Sequence, residues 1–214
     1  MRAFHPNHFR HWLILLAAFA LLSACGKEKE APVPQGSVVL ALGDSITAGA
    51  GVAPEQAWPY LLAGRTGWKV VNCGVSGDTS DGGLKRLPAL LDENQPVLVL
   101  VALGGNDMLR RVPKAETVAN LVRMLDLVKA HGAKPVLLAT PQPTITGAVF
   151  QHLSPADLYA EVAEEHQVPL IEDAIADVLS DPELKGDPLH PNVTGQAVLS
   201  EKIFEELKAI GYVR

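Results

Sequence analysis

The sequence predicts an α/β protein in which helices cover both faces of a parallel sheet, giving three layers. Two observations lead to this prediction. Short apolar runs rich in valine, isoleucine and leucine recur with little polar alternation, as in strands that are buried on both faces. Stretches with helical periodicity separate these runs, and such alternation of strands and helices is typical of parallel sheets.

Five apolar runs are the candidate strands, and they cover residues 38–42, 70–73, 97–103, 136–139 and 168–171. Two helices are indicated by apolar residues that share one helical face. The first has Val118, Leu121, Val122, Leu125 and Val128 on this face, and the second has Leu199, Ile203, Leu207 and Ile210. A histidine and a glycine at positions 131 and 132 predict the end of the first helix.

The N-terminal residues predict export and attachment to a membrane. The apolar run 12–22 is shorter than the roughly 20 residues of a membrane span and has the length of a secretory signal. It leads into Leu-Ser-Ala-Cys at 22–25, which resembles a bacterial lipoprotein signal-peptidase site. We therefore expect a signal peptide at 1–24, lipidation of Cys25, a flexible tether at 25–36 and the folded domain at 37–214. In a diderm bacterium this resemblance favours the periplasmic face of the outer membrane. An ordinary signal peptide cut nearby and an N-terminal helix are the alternatives.

Charge and cysteine content exclude several classes of function. The net charge is −6; residues 1–24 hold two of the 18 Lys/Arg and none of the 24 Asp/Glu, so the remainder carries −8. An acidic chain of this kind argues against a nucleic-acid partner. Of the two cysteines, Cys25 is assigned to the lipid, which leaves Cys73 without a partner for a disulfide. We predict that Cys73 is a buried thiol and that the protein uses no cofactor.

Polar and glycine-rich segments follow the first three strands and contain candidate catalytic residues. Ser45 directly follows the first strand, while Gly77 and Asn106 follow the second and third and offer N–H donors to an oxyanion. Farther along, Asp187 and His190 lie three positions apart in a proline-containing turn, where the carboxylate could orient the imidazole. In parallel sheets such segments meet at the carboxyl edge. The alternatives are a helix N-cap for Ser45, ordinary turn residues for Gly77 and Asn106, and a metal site at Asp187 and His190. The metal site lacks a nearby His or Cys partner, so no metal is predicted.

Four segments together resemble the sequence blocks of the SGNH, or GDSL, hydrolase family. They are Gly-Asp-Ser-Ile-Thr at 43–47, Gly-Val-Ser-Gly-Asp at 74–78, Gly-Gly-Asn-Asp at 104–107 and Asp187-x-x-His190. The resemblance covers nearly all of residues 38–211 and is closest to the bacterial arylesterase, thioesterase and lysophospholipase branch. It implies a five-stranded parallel sheet in flavodoxin-like order. It also implies that Ser45 is the nucleophile, His190 the base and Asp187 its orienting partner, with an oxyanion hole from Gly77, Asn106 and the Ser45 amide.

The substrate-binding part of the sequence departs from this branch. Residues 140–153, TPQPTITGAVFQHL, do not match its substrate loop, and Pro188 replaces a more usual glycine. We expect an acyl pocket lined by Trp58, Met108, Leu109, Ile145 and Phe150.

The predicted function is a serine esterase for aryl and alkyl esters with short to medium acyl chains. Thioesters and lysophospholipids are further substrate classes that the resemblance implies. An exported enzyme would rarely meet coenzyme A thioesters, so we expect a preference for uncharged oxygen esters. The alternatives are a deacetylase of cell-envelope glycans that uses the same triad and a surface binding module without catalytic activity.

Overall fold

A computed structural model of the protein describes residues 30–142 and 152–214, and the folded unit extends from Ala31 to Arg214. Its centre is a parallel sheet of five strands in the order β2-β1-β3-β4-β5. The strands are β1 Val38–Gly43, β2 Lys69–Gly74, β3 Leu98–Ala102, β4 Lys134–Leu138 and β5 Leu170–Ile171. The predicted α/β class, the parallel sheet and its flavodoxin-like order are therefore confirmed.

The strand register brings the ends of the three central segments to one level. Gly43 at the end of β1 pairs with Gly74 of β2 on one side and with Ala102 of β3 on the other. The chain therefore leaves all three strands at the same edge of the sheet. This alignment places the segments that follow β1, β2 and β3 next to one another.

Within the described residues, eight α-helices pack on the two faces of this sheet. They are α1 Ser45–Ala48, α2 Trp58–Thr66, α3 Ser80–Asn94, α4 Gly105–Leu109, α5 Lys114–Ala130, α6 Leu158–Glu165, α7 Ala174–Ser180 and α8 Val193–Ile210. Alternate strand residues point to opposite faces. One core therefore joins Leu40 and Val99 to α3, α5 and α6, and the other joins Val39 and Leu98 to α2, α7 and α8.

Both helices that were predicted from apolar periodicity are present. In α5 the side chains of Leu121, Leu125 and Val128 are buried, and the helix ends at Ala130 with His131 as its C-cap. In α8 the buried face contains Leu199, Ile203 and Leu207. Among the described residues, no helix is both long and apolar enough to cross a membrane.

The folded unit begins earlier than the predicted boundary at Ser37. The backbone N–H of Val33 donates to the Tyr212 carbonyl at 2.8 Å, and the Trp68 indole N–H donates to the Val33 carbonyl at 3.2 Å. Val33 also packs against the core on the α2, α7 and α8 side. The last residues of the predicted tether are thus held against the domain. The cause is the packing and hydrogen bonding of Val33, an apolar residue in this segment.

Candidate active site

Ser45 is the first residue of α1, immediately after β1. The Asp44 carboxylate accepts a hydrogen bond from the Ile46 N–H at 3.0 Å and so caps this short helix. The helix lies directly on the end of β2, where a Cβ at Gly74 would collide with the Ala48 backbone. The glycine at the start of the second segment is therefore required for the close approach that positions Ser45.

The side chains of Ser45, His190 and Asp187 form a continuous hydrogen-bonded chain. His190 Nε2 lies 2.9 Å from Ser45 Oγ, and His190 Nδ1 lies 2.8 Å from Asp187 Oδ2 and 3.0 Å from Oδ1. Because an ionised carboxylate only accepts hydrogen bonds, Nδ1 carries the proton. Nε2 is then free to accept from the serine hydroxyl, which is the arrangement of a serine hydrolase triad.

Asp187 is held by the turn that carries both residues. Its Oδ1 accepts from the backbone N–H of Leu189 at 2.8 Å and of His190 at 3.0 Å. The hydrogen bond from the His190 side chain, aided by these backbone donors, holds the pKa of Asp187 below its usual value. The carboxylate therefore stays charged and keeps the imidazole in one orientation.

Gly77 and Asn106 line the same cavity as Ser45. Gly77 has a φ of +77°, a left-handed conformation that favours glycine, and its carbonyl accepts from Arg110 Nη2 at 2.7 Å. Asn106 Nδ2 donates to Asp44 Oδ2 at 3.2 Å. One N–H of the Asn106 amide is thus used by Asp44, which leaves the second N–H for a group in the cavity.

Asp44 is almost completely buried beside the nucleophile. Burial raises its pKa from 3.8 to about 6, although the hydrogen bond from Ile46 and the nearby His190 act in the opposite direction. The motif Gly-Asp-Ser thus contains a buried carboxyl group that both caps α1 and fixes the direction of the Asn106 amide. Sequence reasoning assigned no role to this residue.

Two further side chains brace the segments of the site, and sequence reasoning assigned neither a function. Arg86 of α3 donates to the carbonyls of Gly43 and Cys73 at 3.0 and 2.6 Å and pairs with Asp78 at 2.8 Å. It therefore joins the ends of β1 and β2. Buried Asp107 accepts from the backbone N–H of Ser80 and also binds its hydroxyl, which ties α3 to α4.

The cavity beside the triad has a volume of about 790 Å³. Leu109 lines it and is about half exposed. Trp58 and Met108 are not among the residues that line the cavity: Trp58 is buried in the core on the α2, α7 and α8 side, and Met108 is partly buried against the opposite core. The Trp58 ring is excluded from the cavity because the core buries it. Ile145 and Phe150 lie outside the described residues.

Cys73 is a buried free cysteine. No group of three or more His, Cys, Asp or Glu within residues 30–142 and 152–214 is arranged to hold a metal ion.

Residues 41–198 match the GDSL-like lipase/acylhydrolase family. The chain belongs to this family. It is an SGNH-type carboxylic ester hydrolase, and the predicted family and enzyme class are confirmed. An arylesterase of Vibrio mimicus is 36% identical over 201 residues, which cover 91% of this chain and 96% of that protein. The thioesterase 1/protease 1/lysophospholipase L1 of Escherichia coli K12 is 38% identical over 175 residues, which cover 80% and 84%.

The fold of this SGNH hydrolase is also similar to solved structures. The crystal structure of TesA superposes with a TM-score of 0.72 at 36% identity and covers 81% of this chain and 99% of that one. A protein described as the uncharacterized lipoprotein YqeF of Bacillus subtilis is 28% identical over 170 residues, which cover 73% of this chain and 67% of that protein. The family therefore accounts for both the sheet order and the sequence of the four segments.

Proposed function

We propose that this SGNH hydrolase cleaves oxygen esters of short to medium acyl chains through an acyl-enzyme on Ser45. The observation that carries the proposal is the 2.9 Å contact between Ser45 Oγ and His190 Nε2, with Asp187 on the other ring nitrogen. Ser45 and His190 line a cavity large enough for a small ester with its acyl chain.

The reaction follows from these contacts. His190 Nε2 takes the hydroxyl proton while Ser45 Oγ attacks the ester carbonyl carbon. The oxyanion that forms accepts hydrogen bonds from the Gly77 and Ser45 amides and from the second N–H of Asn106. His190 then protonates the departing alcohol, which leaves the acyl group on Ser45. A water molecule, deprotonated by His190, hydrolyses the acyl-enzyme and restores the serine.

Half of the side chains that line the cavity are apolar, and these offer an acyl chain a surface that an acetylated sugar would not need. Ile46, Leu109, Leu153, Leu179 and Leu189 all contribute to this lining. The names of the relatives, arylesterase and thioesterase/lysophospholipase, support aryl esters first and thioesters or lysophospholipids as further substrates. Deacetylation of envelope glycans on the same triad is the competing activity, and a complete triad argues against a purely binding role.

A fluorophosphonate probe and a serine variant test the nucleophile. Ser45→Ala should abolish labelling and lower kcat by roughly three to six orders of magnitude, because the remaining groups cannot form the acyl-enzyme. Ser76→Ala is the matched control, since Ser76 lines the same cavity but has no contact with His190. Labelling that persists in Ser45→Ala and disappears in Ser76→Ala would contradict the assignment.

A series of p-nitrophenyl esters tests the substrate class. Each methylene buried by the acyl chain adds about 0.8 kcal/mol, so kcat/KM should rise with chain length until the cavity is filled and then fall. A flat profile, or activity only on acetylated sugars, would favour the glycan deacetylase.

We further propose that residues 1–24 are removed and that lipidated Cys25 anchors the exported enzyme to the cell envelope, in a diderm at the periplasmic face of the outer membrane. The apolar run before Cys25 and the lipoprotein relative support this proposal. Cys25→Ala should release the protein from the membrane fraction or leave an unprocessed precursor, as immunoblots of fractionated cells would report. A Cys25→Ala protein that is processed to the same size and remains in the membrane fraction would contradict it.

A further inference from the structure

The cavity next to the triad contains one cationic side chain that the reaction does not use. Three charged or titratable residues line it: Asp44, His190 and Lys185. Asp44 is buried and bonded to Ile46 and Asn106, and His190 belongs to the triad. Only Lys185 has no assigned partner in this wall.

The backbone of Lys185 is held in place beside the catalytic base. Lys185 forms an antiparallel bridge with Pro191, and the Gly186 N–H donates to the His190 carbonyl at 2.9 Å. Asn192 Nδ2 also donates to the Lys185 carbonyl at 3.2 Å. The backbone of Lys185 is therefore part of the same turn that presents His190.

Within the part of the chain that the structure describes, no acidic group neutralises Lys185. It forms no ion pair within residues 30–142 and 152–214, whereas several other lysines pair with carboxylates, namely Lys85, Lys114, Lys202 and Lys208. Asp187, two positions away, directs its oxygens to His190 and to the backbone of its own turn. Residues 143–151, PTITGAVFQ, contain no Asp or Glu, so this segment cannot supply a carboxylate either.

Lys185 is a half-buried residue, and the cavity that it lines also has apolar side chains, so an uncharged bound substrate would remove water from the ammonium without giving it a counter-charge. An anionic group on a bound substrate would provide that counter-charge as a charge-assisted hydrogen bond. A neutral ester would bury the ammonium further and leave it unpaired. The electrostatics of this wall therefore favour an ester that carries a negative charge.

We propose that Lys185 is a specificity-determining residue that binds a carboxylate or phosphate group of the ester substrate. The substrate class is then an amphiphilic ester, with an acyl chain against the apolar lining and an anionic group at Lys185. This inference depends on the proposed esterase activity of Ser45, and it departs from the uncharged esters expected from the sequence. Lys185 takes no part in bond making or breaking.

Matched phenyl esters test this assignment on the full chain. The set comprises phenyl butyrate, 3-carboxyphenyl butyrate and 3-phosphonooxyphenyl butyrate, with the monophenyl ester of succinic acid to place the charge on the acyl side. Lys185→Met should lower the ratio of kcat/KM for the preferred anionic ester over its neutral analogue by roughly tenfold, mainly through KM. Lys185→Arg should retain the preference, and Lys185→Glu should reverse it.

Lys208→Met is the control, because it removes the same charge from an exposed lysine that is not in the cavity lining. It should leave the ratio unchanged. The anionic ester that shows the largest effect identifies the chemistry and the side of the ester that Lys185 contacts. About 0.5 M salt should weaken the preference of the unmodified enzyme through screening.

The outcomes separate the two proposals. If the enzyme fails to hydrolyse phenyl butyrate and every other ester, the proposed function is wrong. If it hydrolyses these esters and the anionic-to-neutral ratio is the same with lysine, methionine and glutamate at position 185, the esterase proposal stands and the role of Lys185 is wrong. An equal change of the ratio in Lys208→Met would also overturn it, since the effect would then come from the charge of the whole protein.

Discussion

Asp44 combines two tasks that place opposite demands on a carboxyl group. Its hydrogen bonds with Ile46 and Asn106 are strongest to the ionised form, but its burial favours the neutral form and raises its pKa to about 6. Ionising Asp44 in the folded protein therefore costs desolvation free energy, and this cost should lower the free energy of unfolding.

We expect the pH dependence of unfolding to reveal Asp44. Its folded pKa of about 6 exceeds the ordinary 3.8, so the folded state holds the proton more tightly and loses stability as pH rises between these values. From pH 4 to pH 7 the unfolding free energy should fall by about 2 kcal/mol relative to Asp44→Asn, in which the amide oxygen can still cap α1. Urea titrations at several pH values measure the difference. Parallel curves for the two proteins would contradict this expectation.

Asn106 should act on the transition state and have little effect on substrate binding. Its amide is oriented by Asp44 before any substrate arrives, so its free N–H needs no rearrangement to meet an oxyanion. Asn106→Ala should raise the barrier by about 3 kcal/mol, almost entirely in kcat. Steady-state kinetics with a p-nitrophenyl ester distinguish the cases, and a change confined to KM would refute the role.

At the scale of secondary-structure elements, the contact between α1 and β2 determines where the nucleophile lies. Gly74→Ala should push α1 away from the sheet, because the new Cβ meets the Ala48 backbone, which has no side-chain freedom to yield. We expect a loss of about 1–3 kcal/mol of stability together with lower activity. Thermal unfolding and ester hydrolysis measure the two effects.

Gly64→Ala provides the control, since nothing lies near a Cβ at this helical position. It should stabilise α2 by about 0.5–1 kcal/mol and leave activity unchanged. If both substitutions behave alike, the packing of α1 on β2 is not what positions Ser45.

The elements themselves were largely predictable, for a physical reason. Strands buried on both faces are continuous apolar runs, so β1, β3 and β4 stand out in the sequence. The edge strand β5 has only two paired residues where four were predicted, because only Leu170 and Ile171 lie opposite residues of β4. The family blocks likewise indicated Ser45 and His190, which the structure brings into contact.

The remaining residues of the site depend on tertiary packing that a sequence does not contain. Trp58 follows a turn and could face either cavity or core; its backbone bond to Gln196 Oε1 belongs to a contact 138 positions away. Lys185 becomes part of the cavity only through its bridge with Pro191. Arg86 lies in an ordinary amphipathic stretch of sequence. Its role depends on the carbonyls at the ends of β1 and β2, which only the fold brings close to it.

At the scale of the whole molecule, the N-terminal segment contributes to the stability of the domain. A chain that starts at Ser37 loses the packing of Val33 and its hydrogen bonds with Tyr212 and Trp68. Compared with a chain that starts at Ala31, its unfolding free energy should be lower by about 2 kcal/mol, which corresponds to a Tm lower by roughly 4–8 °C. Calorimetry measures the shift, and equal Tm values would show that the segment is dispensable.

The N-terminal segment joins the domain at the edge of the sheet opposite the active site. Gly36 binds the Gly67 carbonyl just before β2 begins, so the chain joins the domain at the amino edge of the sheet. The triad lies at the opposite edge, after the strands have ended. If the enzyme is attached to a bead or an electrode through the segment before Gly36, its active site therefore lies on the side of the domain away from the support and remains open to solution.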